Sequence, residues 1–460
     1  MLIAYVAAWA ILQIRGDGFF PFPKTWPLSV LIAIAVAHTV VLVAAVGTAT
    51  WYLVRGPEKG SARFPEVSDL GEKLIAVGCV LGIAVFHRMQ VSRFAEFGYA
   101  LHPEYLIPAV ALALASVVTL PGKGRAGNGR WWLGLLVAFV VLKIYPILAF
   151  PITAKRSDLL PILSQAGASW LRGESPYQYF TLDNGVATQN VRLPGLIWAY
   201  LPAVRFGFDL RWISLFFELA TLLVWGAVLG AKLKTAAESR SWRIAVILFL
   251  LMPYWHYRHE LYEPPFWFVL SLCFAAWQSR RFVALGLALG LLAATHQWGW
   301  IFAPYFVVSE FRRNGFSKAG LIRTGATGVL AAASGALLLV IGIRGQFGSF
   351  KEHVFGFYER YMAGGDLYPM SLYFSAAFMK LGLAGLLRPL QFLLQLSCLG
   401  LVFLYGTDGA RLAGIFALGL TLQIVLNPVA WTYQYLLVLL LMLYGWGLKI
   451  SAPSGPTRAL

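Results

Sequence analysis

Charge is what this chain of 460 residues is short of. Only 12% of it is Asp, Glu, Lys or Arg, about half the share in soluble globular proteins. Acid is the scarcer sign: 20 Asp and Glu stand against 37 Lys and Arg, for a formal net charge of +17. Cysteine is nearly absent. Cys79, Cys273 and Cys398 each sit inside an apolar run, which excludes a disulfide framework and a thiolate metal clip. Also missing is any polar stretch long enough to be a soluble domain. A basic excess in a soluble chain would point to nucleic acid. Here two other causes account for it: cytoplasmic loops collect Lys and Arg, and such loops meet anionic headgroups. No nucleic-acid partner is expected.

What the chain has is apolar length, with 59% hydrophobic residues. Several runs reach the length that crosses a bilayer core. Membrane helices are expected near 1–14, 27–54, 73–88, 103–120, 131–151, 211–232, 242–256, 264–279, 282–294, 297–309, 320–343, 389–406, 410–427 and 430–449. The chain therefore reads as an all-α polytopic membrane protein, a bundle of roughly 12–14 transmembrane helices with interfacial helices in its outer loops. The run 1–14 lacks a basic leader and a small-residue cleavage site, and reads as a first membrane helix. The pair 282–294 and 297–309 could instead be one long broken helix.

Five short loops are rich in Lys and Arg: 55–64, 121–130, 232–243, 278–281 and 310–318. With this helix order all five fall on one side, which the positive-inside rule makes cytoplasmic. Both termini, including the tail 450–460, then also lie there. The opposite side collects 152–210, 257–263, 295–297, 344–388 and 427–431. Two of these are long, and loops of that length usually carry function.

The stretch "AKRSDLLPILSQAGASWLRGESPY" (154–177) places a lone acid, Asp158, at the start of a short amphipathic helix. Ser157 or Asp158 is a good N-cap residue. Pro161 is tolerated in a first turn. Leu159, Leu163, Ala166 and Trp170 share a face. Gly173 and Pro176 end the helix. The plain reading of Asp158 is therefore a cap beside Lys155 and Arg156.

A membrane helix, an acid and a helix ending in Gly-x-x-Pro-Tyr together resemble the first outer loop of the GT-C superfamily of membrane glycosyltransferases. The likeness is to the polyprenyl-phosphate-sugar mannosyltransferases of the bacterial integral-membrane and GPI types. Four more segments fit in order: "RLPGLIWAYLP" (192–202), "RHELYEPPFW" (258–267), "LALGLLAATHQWGWIFAPYF" (287–306) and "NPVAWTYQYLLVLLLMLY" (427–444). The likeness covers about 131–449 and leaves the helices of 1–120 without a role.

The resemblance implies transfer of a mannose-like hexose or a pentose from a polyprenyl-phosphate donor to a lipid, glycan or protein hydroxyl. The transfer is expected to invert the sugar, on the extracytoplasmic face of the cell envelope. A carboxylate must take the acceptor's proton, and fixed cations must meet the leaving phosphate. Asp158 is the candidate base. Arg156, Arg192, Arg258 and His296 are candidates for the donor phosphate. Tyr177, Glu260, Glu263, Gln297 and Trp431 are candidates for sugar or acceptor, with Trp198 beside them. Each has a plainer reading: outer-leaflet cations snorkel to headgroups, and interfacial aromatics form belts.

On a helix His256, Glu260 and Glu263 would share a face, a nitrogen–oxygen set of the kind a divalent metal takes. Pro264 and Pro265 follow at once and no further ligand is close, so no cofactor is expected. The aromatic segment 345–366 reads as a belt helix or as a lid over the donor. The competing function is a transporter or flippase of a lipid-linked or small polar substrate. That class places ionisable groups at mid-bilayer, where Lys143 is the clearest one here.

Overall fold

The computed structural model describes residues 1–15, 27–55, 68–96, 98–99, 101–119, 127–155, 157–229, 236–252, 261–357, 359, 374–427 and 432–451. Helices dominate it. They are α1 (Leu2–Arg15), α2 (Leu28–Arg55), α3 (Asp69–Glu96), α4 (Leu106–Val118), α5 (Gly127–Ala149), α6 (Leu159–Leu171), α7 (Pro194–Phe206), α8 (Arg211–Leu229) and α9 (Ala236–Leu250). After these come α10 (Pro264–Gln278), α11 (Phe282–Thr295), α12 (Gly299–Asn314), α13 (Lys318–Ile343), α14 (Phe374–Lys380), α15 (Leu387–Tyr405), α16 (Gly409–Val425) and α17 (Leu436–Ser451). One hairpin, β1 (Tyr179–Thr181) with β2 (Ala187–Gln189), stands between α6 and α7.

Each expected membrane stretch contains a helix among the described residues. Among the described residues five helices are long and apolar enough to cross a bilayer: Ile32–Arg55, Asp69–Glu96, Trp131–Ala149, Lys318–Ile343 and Ala384–Tyr405. Shorter apolar helices accompany them, among them Phe282–Thr295, Gly409–Val425 and Leu436–Ile450. The pair at 282–314 is two helices, because His296 breaks to extended backbone at φ −151, ψ 147.

Local chemistry sets several helix ends. Ser317 accepts from the Gly320 amide and Asp408 from the Arg411 amide, each satisfying an orphan donor of a first turn. Gly207 ends α7 in the left-handed region at φ 70.

The helices before residue 120 share the core of the rest. One buried apolar cluster runs from Ala4 to Ile450. The Thr50 hydroxyl donates to the Gly414 carbonyl at 2.9 Å, and the Trp9 indole to the Leu248 carbonyl at 2.9 Å. Glu72 of α3 takes the Trp131 indole at 2.7 Å and Arg243 at 2.9 Å.

Lys143 of α5 and Glu218 of α8 form an ion pair at 3.2 Å, almost fully buried. Breaking it from one side strands a charge in an apolar interior. Lys143→Met alone is expected to lower stability by about 3–5 kcal/mol, and the Lys143→Met, Glu218→Leu pair to recover most of that. Detergent melting of both variants and of Glu218→Leu checks it. A loss in the double variant equal to the sum of the Lys143→Met and Glu218→Leu losses would mean that the pair has no net coupling.

Candidate functional site

A cavity of about 480 Å³ opens where segments expected together on one side meet. Val191 and Arg192 come from the first long loop, Tyr262 from the turn before α10, His296, Gln297 and Trp298 from the α11–α12 break, and Trp300 and Ile301 from the first turn of α12. Phe355 and Glu359 come from the second long loop. Leu387, Arg388 and Gln391 begin α15, Gln423 and Asn427 end α16, and Gln434 precedes α17. The segments that the basic loops assign together by exclusion thus share one cavity wall.

Arg192 is held by the local backbone. Asn190, fully buried, donates to the Pro176 carbonyl at 3.2 Å and accepts the Arg192 amide at 3.1 Å. Such an Asx turn fixes the approach to a helix. Pro194 then supplies the preset φ of a first helical residue. Gly195 lets α7 press on the end of α11: a Cβ there would lie 2.8 Å from the Ala294 carbonyl oxygen and 2.9 Å from the Thr295 hydroxyl. That approach sets Arg192 beside His296.

The guanidinium of Arg192 lies 4.5 Å over the Tyr262 ring. It is 5% exposed, and its Nε has no hydrogen-bond partner among the described residues. Tyr262 is steadied from below. The Ser214 hydroxyl donates to the Leu261 carbonyl at 2.8 Å and pairs with the Tyr200 hydroxyl at 2.7 Å. A buried cation with an unused donor, facing a cavity, is arranged for an anion.

His296 lines the same wall, but not as a cation. Burial pushes its imidazole down to about 3, and the charge of Arg192 adds to the effect. Its Nδ1 accepts the Trp298 amide at 3.2 Å, which leaves Nε2 as a neutral donor. His296 thus offers the cavity a neutral donor rather than a second charge. Gln297 lines the cavity and donates to the Val191 carbonyl at 2.8 Å.

Other expected site residues lie elsewhere. Tyr177 is 1% exposed and meets Phe350 edge-on at 5.0 Å, so it has no face to offer a sugar. Trp198 packs against Trp170 at 6.1 Å. Arg156, Arg258, Glu260, Trp431 and His256 lie outside the described residues. The metal grouping with Glu263 is therefore not formed from described side chains.

Glu263 is 2% exposed and is not part of the cavity wall. Neither carboxylate oxygen has a well-formed hydrogen bond among the described residues. Burial pushes its carboxyl up to about 8 from an ordinary 4.5; nearby backbone amides and the Arg192 charge offset only part of that. Such a group keeps its proton in the fold over a window where the unfolded chain has released it. Stability is then present below the window and lost as pH rises through it. The melting temperature of Glu263→Gln should gain on the wild type by a few degrees between about pH 5 and about pH 9. A gap that does not change with pH would mean that Glu263 is ionised throughout.

Asp158 departs from its capping role. It precedes α6 with φ −82, ψ −6, already helical, and its side chain makes no cap hydrogen bond. A cap needs extended backbone there. The nearest substitute is the Ser157 hydroxyl, 3.5 Å from the Leu159 amide. The Asp158 carboxylate is half-buried and does not line the cavity. Helix α6 does bury Leu159, Leu163 and Ala166, against α7: a Cβ on Gly167 would lie 3.1 Å from Val204.

Several cavity residues were not among the expected ones: Trp300, Glu359, Arg388, Gln391, Gln423, Asn427 and Gln434. For Gln391, Gln423, Asn427 and Gln434 the signal was present as amides at the ends of otherwise apolar helices. Such groups avoid lipid and face the interior. Gln391 donates to the Gln423 carbonyl at 3.3 Å, and Gln395 to the Gln423 side chain at 3.3 Å. The Tyr305 hydroxyl donates to Gln395 in turn. Compared with known protein families, with curated proteins and with solved structures, the chain matches none.

Proposed function

We propose that this chain is a membrane glycosyltransferase of the GT-C kind, moving a sugar from a polyprenyl-phosphate donor to a hydroxyl of a membrane lipid, glycan or protein. The observation that carries the reading is the make-up of the cavity. It sets Arg192 and Arg388 among the amides Gln297, Gln391, Gln423, Asn427 and Gln434 and the rings of Tyr262, Trp298 and Trp300. Sugar hydroxyls each donate and accept, and primary amides are the neutral groups that answer both. A phosphate leaving group needs cations already in place. The volume suits one sugar and its phosphate rather than a polymer segment. The ordered segments that resemble GT-C enzymes agree with this, and so does a wall assembled from the loops read as extracytoplasmic.

In this reading Arg192 holds the donor phosphate, and His296 and Gln297 donate to it or to the sugar. Asp158 takes the acceptor's proton, since its carboxylate is not spent on capping α6. A second assignment of the base has its own observation: Glu359 is the carboxylate on the cavity wall, 3.6 Å from Arg388.

The test is direct. Purified protein in nanodiscs is given a panel of polyprenyl-phosphate sugars with lipid and glycan acceptors, and products are followed by mass spectrometry. One transferred sugar with inverted anomeric configuration is the expected result. Silence with every donor, joined to movement of the same lipid-linked sugars across liposomes, would make the chain a transporter or flippase.

A further inference from the structure

The residues that precede Asp158 are gripped by a turn far along the same loop. The hairpin β1–β2 closes through Leu182–Val186, with Gly185 at φ 75. Two side chains of that turn reach back. Asp183 Oδ1 accepts the Ala154 amide at 2.7 Å, and Oδ2 accepts the Thr153 hydroxyl at 2.5 Å. Asn184 donates to the Ala154 carbonyl at 3.0 Å. The backbone of Ala154 is thus held on both its polar atoms.

The grip extends to the N-terminal helices. Tyr99, just beyond α3, shares a 2.7 Å hydrogen bond with the Thr153 hydroxyl and lies 3.5 Å from Asp183 Oδ2. The ammonium of Lys155 sits 5.5 Å over the Tyr99 ring. Thr153 passes the hold forward: its hydroxyl accepts the Lys155 amide at 3.2 Å and its carbonyl the Ser157 amide at 3.1 Å. Partial burial pushes the Asp183 carboxyl up. The Thr153 hydroxyl and the Ala154 amide outweigh that and hold it below its ordinary value.

We infer that Asp183, with Asn184 and Tyr99, is a positioning device for the transfer reaction, clamping Thr153–Lys155 so that Asp158 is presented at a fixed place. The inference rests on the reading of Asp158 as the base. The need for a clamp is local. The chain leaves α5 at Ala149 and enters α6 at Leu159 with no side-chain cap; the Asp158 carbonyl accepts the Ile162 amide at 3.0 Å, but no cap bond fixes its side chain. A displacement of about 1 Å at a reacting group can cost about 100-fold in rate. The clamp also gives the helices before residue 120 a part in the chemistry, since Tyr99 is theirs.

The experiment compares wild type, Asp183→Ala, Asp183→Asn and Tyr99→Phe in two measurements. Hydrogen exchange by mass spectrometry reads the peptide covering residues 150–158. Transfer kinetics read kcat and the donor KM separately. In Asp183→Ala, exchange should rise in that peptide while α6 and α7 keep their protection. kcat should fall about 100-fold with the donor KM unchanged, because Arg192 is untouched. Asp183→Asn, which retains one acceptor for the Ala154 amide, should fall between. Unchanged exchange would show that there is no clamp. Raised exchange with full kcat would show a clamp irrelevant to Asp158. A joint change in kcat and KM with exchange raised through the whole loop would reduce Asp183 to a structural role. A wild type silent with every donor would remove the enzyme reading and this role together, a result visible before any substitution.

Discussion

Replacing Arg192 by glutamine is expected to lower sugar transfer about 1,000-fold, the size of effect that follows loss of one preorganised charge at a developing anion. The loss should appear in kcat as well as in donor affinity, since phosphate charge grows as the glycosidic bond breaks. The fold should survive. Arg192 is a buried cation whose Nε has no partner among the described residues, so glutamine costs the fold no hydrogen bond at that nitrogen. Arg192→Lys should rescue little. A lysine keeps the charge but loses the planar group that lies on Tyr262 at 4.5 Å and can present two donors to one phosphate. Arg388 supplies the contrast, being exposed and paired with Glu359 at 3.6 Å; its loss should cost about tenfold or less. Kinetics of the three variants beside a melting curve check all of this. If Arg192→Gln and Arg388→Gln fall equally, burial confers no advantage and the phosphate lies nearer the rim.

The fold was legible where the physics is local. Apolar length against a bilayer core, and Pro, Gly and Ser at helix ends, suffice to locate the membrane helices and α6; α7 and α14, inside the two long loops, were not among the helices read. Gly173 ends α6 as read, at φ 83. The site was legible only where polar residues interrupt a pattern, as at His296-Gln297 and Arg192. Three features needed the fold. The cap at Asp158 failed because the chain turns helical one residue early, at φ −82, ψ −6. The neutrality of His296 follows from packing: Phe266 and Trp298 lie 5.0 and 4.4 Å from its ring. The meeting of Gln391 with Gln423 depends on α15 and α16 running side by side, which no spacing within either helix reveals.

Asp158→Asn sets the two candidate bases against each other. Asparagine keeps the shape and cannot accept a proton, so loss of a general base should lower kcat by about 100- to 10,000-fold. The protein should melt normally, because the Asp158 side chain makes no cap bond that the amide could fail to replace. An N-cap acid would behave otherwise: its loss acts on stability, by about 1 kcal/mol, and leaves chemistry alone. Glu359→Gln is the matched control. Its carboxylate is exposed and tied to Arg388, so this substitution frees a cation beside the cavity and should alter the donor KM more than kcat. If Glu359→Gln instead abolishes turnover while Asp158→Asn retains it, the base belongs to the second outer loop. In that case the segment 347–359, which carries Phe355 and Glu359 to the cavity wall, delivers the acid. The pH profile separates the cases further. A variant without its general base loses the acidic limb of kcat, whereas one with a misplaced phosphate contact keeps that limb at lower height.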